Sequence, residues 1–520
     1  MILQFGKNRI EWKTQPTARL IAAPPIRRGY GKPKAGVLPK SPAEALKLFI
    51  TPNIVDVIIT ETNHEGERKT VAKNAERLQN NPNAAAAMAW KPLTEVELWG
   101  FLGMMIAAGV QKQSDVPLRE LLLNPRSDPI YKATMSVTRC EEIRSTMRFD
   151  DRSTRAERKQ EMGKLAPFKN VFDLFLNNLR GPYEPHTSIT LDEQLFGYRG
   201  RCPFKQYCGA KPEKFGMKIF WICDSLNGYA LIGKVYTGKE GGTVTRDLGA
   251  KITKELASVF YNTHRVLTMD NFFTSLPLVE FLAVQKLAVV GTVRNNKPDL
   301  PLDFMAPGKR LLYNSQFAFR PTVMLVSYMA KKKKVVNLMS SHHNSIAVDS
   351  TDKKKPEIVN YYNKTKIGTD LMDQKVANYT TARATRRWPM ALWFNILDIA
   401  AANAEIIFHL THPDDRPGHR RRFLKDLSLE LVMPQMKSRF DENPRLPAAT
   451  LAAMKYFRLE KEVQSHALVG LQAKVDTRVR CYKCSNDNKT MILCQKCHAP
   501  VCGVHCRHFC EFCIKTMEFP

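Results

Sequence analysis

The apolar residues of this chain change their period near Thr187, and only a fold that layers helices on a sheet accommodates both textures. Before that point, TEVELWGFLGMMIAAGV and FKNVFDLFLNNLR carry apolar residues at helical spacing. SPAEALKLFI opens with a capping pattern: Ser41 at the N-cap, Pro42 at the first helical position and Glu44 three residues after the cap. Beyond it, SITLDEQLFGYRG, KFGMKIFWICDS, GYALIGKVYTG and HRVLTMDNFF read as strands bounded by Gly, Asn or Ser. LGAKITKELASVF and LPLVEFLAVQK, before and after the last of these, read as helices, and LAVVGTVRN reads as one more strand. Strands followed by strand–helix–strand units predict the α/β class, a mixed sheet covered by helices.

The same textures divide the 520 residues. Residues 1–40 are expected to be a flexible basic arm, and 41–187 a helical region. Residues 188–297 form the first part of the α/β core, 298–356 a β-rich insertion carrying two lysine runs, and 357–379 the second part of the core. Residues 380–457 return to helix, 458–478 are a linker, and 479–520 are cysteine-rich.

Lys plus Arg number 79 against 50 Asp plus Glu, a formal charge of +29 and a pI near 9.6. Such an excess suits a polyanionic partner, because each neutralised phosphate releases counterions. The longest apolar candidate, residues 100–110, falls short of the roughly 18–20 residues that cross a bilayer, and MILQFGKNRIEWK lacks the apolar stretch of a secretory signal. No membrane association is expected, and the chain reads as intracellular.

Three carboxylates end or follow apolar segments: Asp192 in ITLDEQLFGYR, Asp270 in RVLTMDNFF and Asp370 in IGTDLMDQK, with Asp373 on the same helical face as Asp370. Converging acids at a sheet's mouth form an oxygen-rich pocket suited to Mg²⁺ or Mn²⁺. Two such ions, about 3.5–4 Å apart, serve phosphodiester chemistry. The separations of 78 and 100 residues do not by themselves establish convergence. Glu193 and Asp224 compete, Asp224 reading as a turn residue before Asn227 and Gly228.

Eight of the 12 cysteines lie between Cys481 and Cys513. The pairs Cys481/Cys484, Cys494/Cys497, Cys502/His505 and Cys510/Cys513 supply eight ligands, enough for two closed tetrahedral Zn²⁺ sites. A segment of about 40 residues is below the size that usually folds unaided, so metal would supply the folding energy. Cross-brace pairing joins the first pair with the third and the second with the fourth, with Cys506 and His508 as spare ligands.

Six blocks in order, LDEQLFGYRGRCPFKQY, KPEKFGMKIFWICDS, MDNFFTSLPL, VVGTVRNNK, YYNKTKIGTDLMDQ and RRWPMALWFNIL, resemble the piggyBac transposase family. The resemblance runs from about residue 41 to the C-terminus. It implies a ribonuclease H-like catalytic core with a β-rich insertion, flanked by a split helical dimerisation and DNA-binding domain and followed by the zinc module. Asp192, Asp270 and Asp370 fall on the family's metal-binding aspartates, and Asp373 on its further important Asp.

The implied activity is cut-and-paste transposition. A 3′-hydroxyl is generated at a transposon end, a hairpin forms and reopens, and the strand joins TTAA target DNA. Terminal-repeat DNA, target DNA and a second copy of the chain are the implied partners, and the nucleus the implied location. Arg294 and Lys297 match positions near target phosphates, Asn271 a position near TTAA, and Tyr207 a position near the transposon end. Arg383, Arg386, Arg387 and Trp388 form a basic-aromatic cluster. Trp388 is expected either to stack on the unpaired bases of a hairpin tip or to be a core residue before Pro389. In the family the zinc module binds transposon-end DNA. Where members often carry an acidic N-terminal stretch, this chain has a basic one. Two alternatives remain: a domesticated DNA- or chromatin-binding protein without catalysis, which the intact aspartates oppose, and a ubiquitin ligase, which has no need of this large core.

Overall fold

The computed structural model describes residues 3–16, 31–81, 88–209, 211, 213–238, 247–305, 310–414, 420–443, 445–459, 474–482, 488–494 and 497–502. Residues Met1–Thr450 form one compact unit and Leu451–Pro520 another.

Ahead of the sheet come α1 (Pro52–Asn80) and α2 (Glu95–Val110), with shorter helices before and after them. The expected cap at Ser41 forms, its side chain accepting from Glu44 N–H at 3.3 Å. In α2 the Thr94 side chain does the same for Glu97, and every residue from Leu98 to Val110 is buried. An all-round apolar helix must lie inside a protein.

The sheet is large and mixed. Its centre is built from β1 (Ser188–Gly197), β2 (Phe215–Asp224), β3 (Ala230–Val235), β4 (Val266–Met269) and β5 (Ala288–Val293), with α3 (Leu248–Ala257) and α4 (Leu276–Val284) as crossovers. The spatial order is β3-β2-β1-β4-β5. Strand β2 runs antiparallel to both neighbours, while β1, β4 and β5 are mutually parallel.

The segment read as an insertion continues this sheet. Strands β6 (Ser315–Phe319), β7 (Met324–Lys331) and β8 (Lys334–Ser340) form an antiparallel meander, and β8 pairs with β5. The first lysine run is the hairpin tip between β7 and β8, where Lys331 pairs with Lys334.

The N-terminal segment departs from the flexible arm expected. Leu3–Phe5 and Glu11–Lys13 pair with each other, and Lys13 pairs with Phe319 of β6. Trp12 is fully buried, its indole donating to the Asp299 carbonyl at 2.8 Å. Prolines among basic residues suggested looseness, but one large aromatic with a hydrogen-bonded ring is enough to anchor the strand.

After β8 come α5 (Glu357–Thr365), α6 (Gly368–Asn378), α7 (Trp388–Thr411) and α8 (Arg420–Glu442). Helix α8 packs on α2, and α7 on the helix Pro42–Lys47, so helices from both ends of the sequence meet. The sequence scan missed that α7 is long and apolar enough to cross a bilayer. It is a core helix, with 94% of its apolar window buried, and it carries Asn395, Asp398, Asn403 and Glu405.

In the second unit, β9 (Lys474–Arg480) and β10 (Lys489–Ile492) form an antiparallel pair.

Candidate active site

One face of β1 builds the site. Thr190, Asp192 and Gln194 alternate onto that face, and Thr190 and Gln194 meet the segment that carries α5 and α6. The Thr190 hydroxyl donates to the Thr365 carbonyl at the end of α5, and Thr268 on β4 bonds the Thr365 hydroxyl at 2.8 Å. Gln194 is fully buried. Its amide donates to Asp373 at 2.9 Å, while its carbonyl accepts from Trp221 at 3.1 Å and from Asn395 at 3.0 Å. Asp192 lies between these two clamps.

Register brings in the second acid. Leu191 pairs with Met269 in the parallel β1/β4 ladder, so Asp192 and Asp270 follow at the same level of adjacent strands. Close approach brings in the third. Asp370 lies in the first turn of α6, and two glycines admit that helix to the sheet. A Cβ on Gly368 would lie 2.7 Å from the Asp224 carbonyl. Gly228, at φ +74° in the β2–β3 turn, would clash with Met372 N at 2.9 Å.

Asp192 feels the charges of the other two carboxylates. Burial first, then the charges of Glu193, Asp270 and Asp370, push Asp192 up to about 7. Burial and the Glu193 charge also raise Asp270, against the opposing pull of Arg294. Asp373 is raised by burial, while the Gln194 hydrogen bond and Lys211 act the other way. Tyr362 on α5 is raised by burial and by the charges of Asp270, Asp192 and Asp370, so its phenol also belongs to this cluster. The sequence reading missed Gln194, although it stands two residues from Asp192, and it missed Tyr362, two helical turns before Asp370.

Among the described residues no three His, Cys, Asp or Glu side chains are gathered closely enough to hold one metal ion. The acids share a field, and two of them are tied to backbone: Asp192 accepts from Glu193 N–H and Asp270 from Phe272 N–H, each at 2.8 Å. As a donor set they nevertheless suit a hard divalent cation. They are oxygens, half-buried at Asp192 and Asp270 and exposed at Asp370, and mutually repelling until a positive charge arrives.

A family model described as Transposase IS4 matches residues 41–405, more than half of the chain. The chain also superposes on a solved piggyBac transposase, from a synaptic complex with hairpin DNA, with a TM-score of 0.77 and 31% identity over 92% of this chain and 99% of that one. The chain belongs to the piggyBac transposase family. Human PiggyBac transposable element-derived protein 3 is 23% identical over 455 residues, covering 80% of this chain and 68% of the human protein. The human chimeric ERCC6-PGBD3 protein matches at the same identity, and the match spans 38% of its length.

The other residues singled out in this piggyBac-type chain separate into two groups. Asn271, Arg294 and Asp270 lie together at the site: Arg294 Nε donates to the Asn271 side chain at 3.3 Å, and both residues are exposed. Lys297 is half-buried in the turn closed by its N–H to the Arg294 carbonyl. Tyr207 is 65% exposed, its ring 5.0 Å from that of Phe215. Arg386 is exposed.

Trp388 and Arg387, considered for stacking and contact with DNA, are both engaged within the protein. Trp388 is 9% exposed and packs edge-on against Phe204 at 5.0 Å, so the core alternative is the one realised. Arg387 donates to the carbonyls of Arg144, Ser145 and Met147, and burial lowers its guanidinium to about 9. Arg383 is buried and donates to the carbonyls of Gln113 and Val116. Basic residues next to a tryptophan read alike in sequence whether they face solvent or cap helix ends. Asp224 is the turn residue expected, accepting from Leu226 N–H, and it also bonds His186.

In the second unit Cys481 and Cys494 are buried, and the Cys502 N–H donates to Cys481 Sγ at 3.4 Å. Cys497 is exposed. Cys484, His505, Cys506, His508, Cys510 and Cys513 lie outside the described residues.

Proposed function

We propose that this transposase is catalytically competent and performs cut-and-paste transposition. Asp192, Asp270 and Asp370 would hold two Mg²⁺ or Mn²⁺ ions in a ribonuclease H-like core. The observation that carries the reading is the register that levels Asp192 with Asp270 on adjacent parallel strands, with α6 bringing Asp370 into their field. The strand order β3-β2-β1-β4-β5, antiparallel only at β2, supports a ribonuclease H-like assignment.

Bound between these acids, divalent cations would activate the attacking oxygen and stabilise the leaving one. The chain's own residues supply the frame. Thr190 and Thr268 fix the end of α5, Gln194 fixes Asp373, and the two glycines set the height of α6. The DNA partner is the transposon terminal repeat and a TTAA target. Arg294 and Asn271, beside Asp270, would meet target phosphate and base, and exposed Tyr207 and Arg386 the transposon end. Successive phosphoryl transfers give the 3′-hydroxyl, the hairpin, its reopening and the strand joining.

The remaining assignments belong to the same reading. Residues 41–187 with 380–457 serve dimerisation and DNA contact, since two ends must be held at once. The cysteine module holds two Zn²⁺ ions, with the Cys502 N–H to Cys481 contact supporting the pairing of the first and third ligand pairs. The protein acts in the nucleus.

A Mg²⁺-dependent cleavage assay on terminal-repeat DNA tests this. Wild type nicks the end and forms a hairpin, whereas Asp270→Asn loses both while keeping its zinc content. Tight DNA binding with no cleavage by wild type would instead favour a domesticated DNA- or chromatin-binding protein, the reading that the human relatives' "element-derived" name favours.

A further inference from the structure

A recess of about 720 Å³ adjoins the acid cluster, and none of the chemistry above uses it. Phe196, Tyr198, Ala377, Arg383, Ala391 and Asp398 are among its walls, contributed by the end of β1, by α6, by α7 and by the segment joining the two helices. Asp373 also lines it, three residues beyond Asp370 on the same helix, or about 4.5 Å along the axis.

The lining is chemically mixed. Phe196, Ala377 and Ala391 offer apolar surface. Arg383 is 7% exposed, and its Nε and Nη2 atoms have no hydrogen-bond partner among the described residues; nor has the hydroxyl of Tyr198, which is 6% exposed. Asp373, Asp398 and Glu213 add carboxylates. A phosphate group would meet those carboxylates, and a purely apolar ligand would leave the buried donors unmatched. A nucleobase has flat apolar faces and an edge bearing both donors and acceptors, and it matches both aspects. The volume lies in the range of about 300–1,000 Å³ that accommodates a ligand of nucleotide size.

We propose that this recess receives a base swung out of the DNA beside the cleaved phosphate as the transposon end closes into a hairpin. The inference rests on Asp192, Asp270 and Asp370 being the centre of strand cleavage. Unstacking a base is unfavourable, and pairing buried donors that are otherwise unsatisfied offsets that cost. The recess thereby favours the bent end over the straight one.

The test uses the full chain and synthetic hairpin oligonucleotides tipped with TTAA, carrying 2-aminopurine at each tip position in turn. In Ca²⁺, wild type is expected to change the fluorescence of one position severalfold. Ala377→Phe plugs the recess from an exposed helix position. It should reduce that change at least tenfold and slow hairpin formation at least tenfold, with the first nick within twofold of wild type. Tyr198→Phe, which removes one donor without changing shape, should slow hairpin formation about threefold. An abasic tip nucleotide should make wild type and Ala377→Phe equal. Normal hairpin formation by Ala377→Phe overturns the proposal, as does a parallel loss of nicking and hairpin formation. If wild type cleaves nothing, the catalytic reading fails, while the fluorescence of the preformed hairpin still decides on the recess.

Discussion

Gln194, buried in β1, donates its amide to Asp373 on α6 at 2.9 Å, and its other bonds hold Trp221 and Asn395. One side chain thus joins the sheet, the helix of the third and fourth acids, and α7. Gln194→Leu strands these polar groups in a closed interior, where each unsatisfied group costs about 1–3 kcal/mol. Urea unfolding should show a loss of about 3 kcal/mol, and strand cleavage should fall with it.

Gly228 combines a left-handed backbone with a close approach to Met372. Gly228→Ala should cost about 1–3 kcal/mol by thermal melting, from strain and clash together. Cleavage should fall by more than that loss explains, because displacing a catalytic group by about 1 Å can cost 100-fold. Wild-type cleavage rates in this variant would show that α6 does not depend on the turn for its position.

Asp192 ionises only near 7 in the folded, metal-free protein, against 3.8 for the ordinary carboxyl. The folded state therefore keeps a proton between those values that the unfolded state releases. This contribution to stability is full below about pH 4 and is lost as pH rises through 7. Metal-free Asp192→Asn should match wild type near pH 4 and melt higher than it at pH 8. Mg²⁺ should raise the wild-type melting temperature at pH 8 far more than at pH 5, because the proton competes for the site. Scanning calorimetry at the three pH values checks both trends.

Arg386 and Arg387 should behave oppositely despite being neighbours. Arg387→Ala removes a buried donor from the carbonyls of Arg144, Ser145 and Met147, of which Ser145 keeps Lys69 and Met147 keeps Arg148, and denaturant unfolding should show a loss of about 1–2 kcal/mol. Arg386→Ala should leave stability unchanged. It should weaken terminal-repeat binding and reduce the slope of log affinity against log salt by about 1.

Zinc analysis of the full chain should give two ions, and Cys481→Ser should leave one. Chelation should deprotect the amides of β9 and β10 in hydrogen exchange while leaving those of β1 and β4 protected.

The centre of the sheet was legible because its strands announce themselves by apolar runs between turn residues. Pairing across long loops was not legible. Strands β6 to β8 looked like a separate module, since nothing in VVNLMSS says that it lies beside LAVVGTVRN. Trp12 was lost among prolines, and the polar residues of α7 hid its apolar character. For Arg383, Arg387 and Trp388 the residue types left burial open, because burial there depends on helix ends that are distant in sequence.

Helix α7 is keyed to the sheet at two points eight residues apart. Asn395 meets Gln194, and the Asn403 amide pairs with both the N–H and the carbonyl of Ala230, each at 2.9 Å. Farther on, Glu405 joins Lys375 and Arg420. Adding one residue between the two asparagines would rotate everything after it by about 100°, turning Asn403 away from its backbone partner and Glu405 away from both cations. In a library of single-residue insertions, tolerance should collapse across this stretch and recover at the exposed tip between β7 and β8.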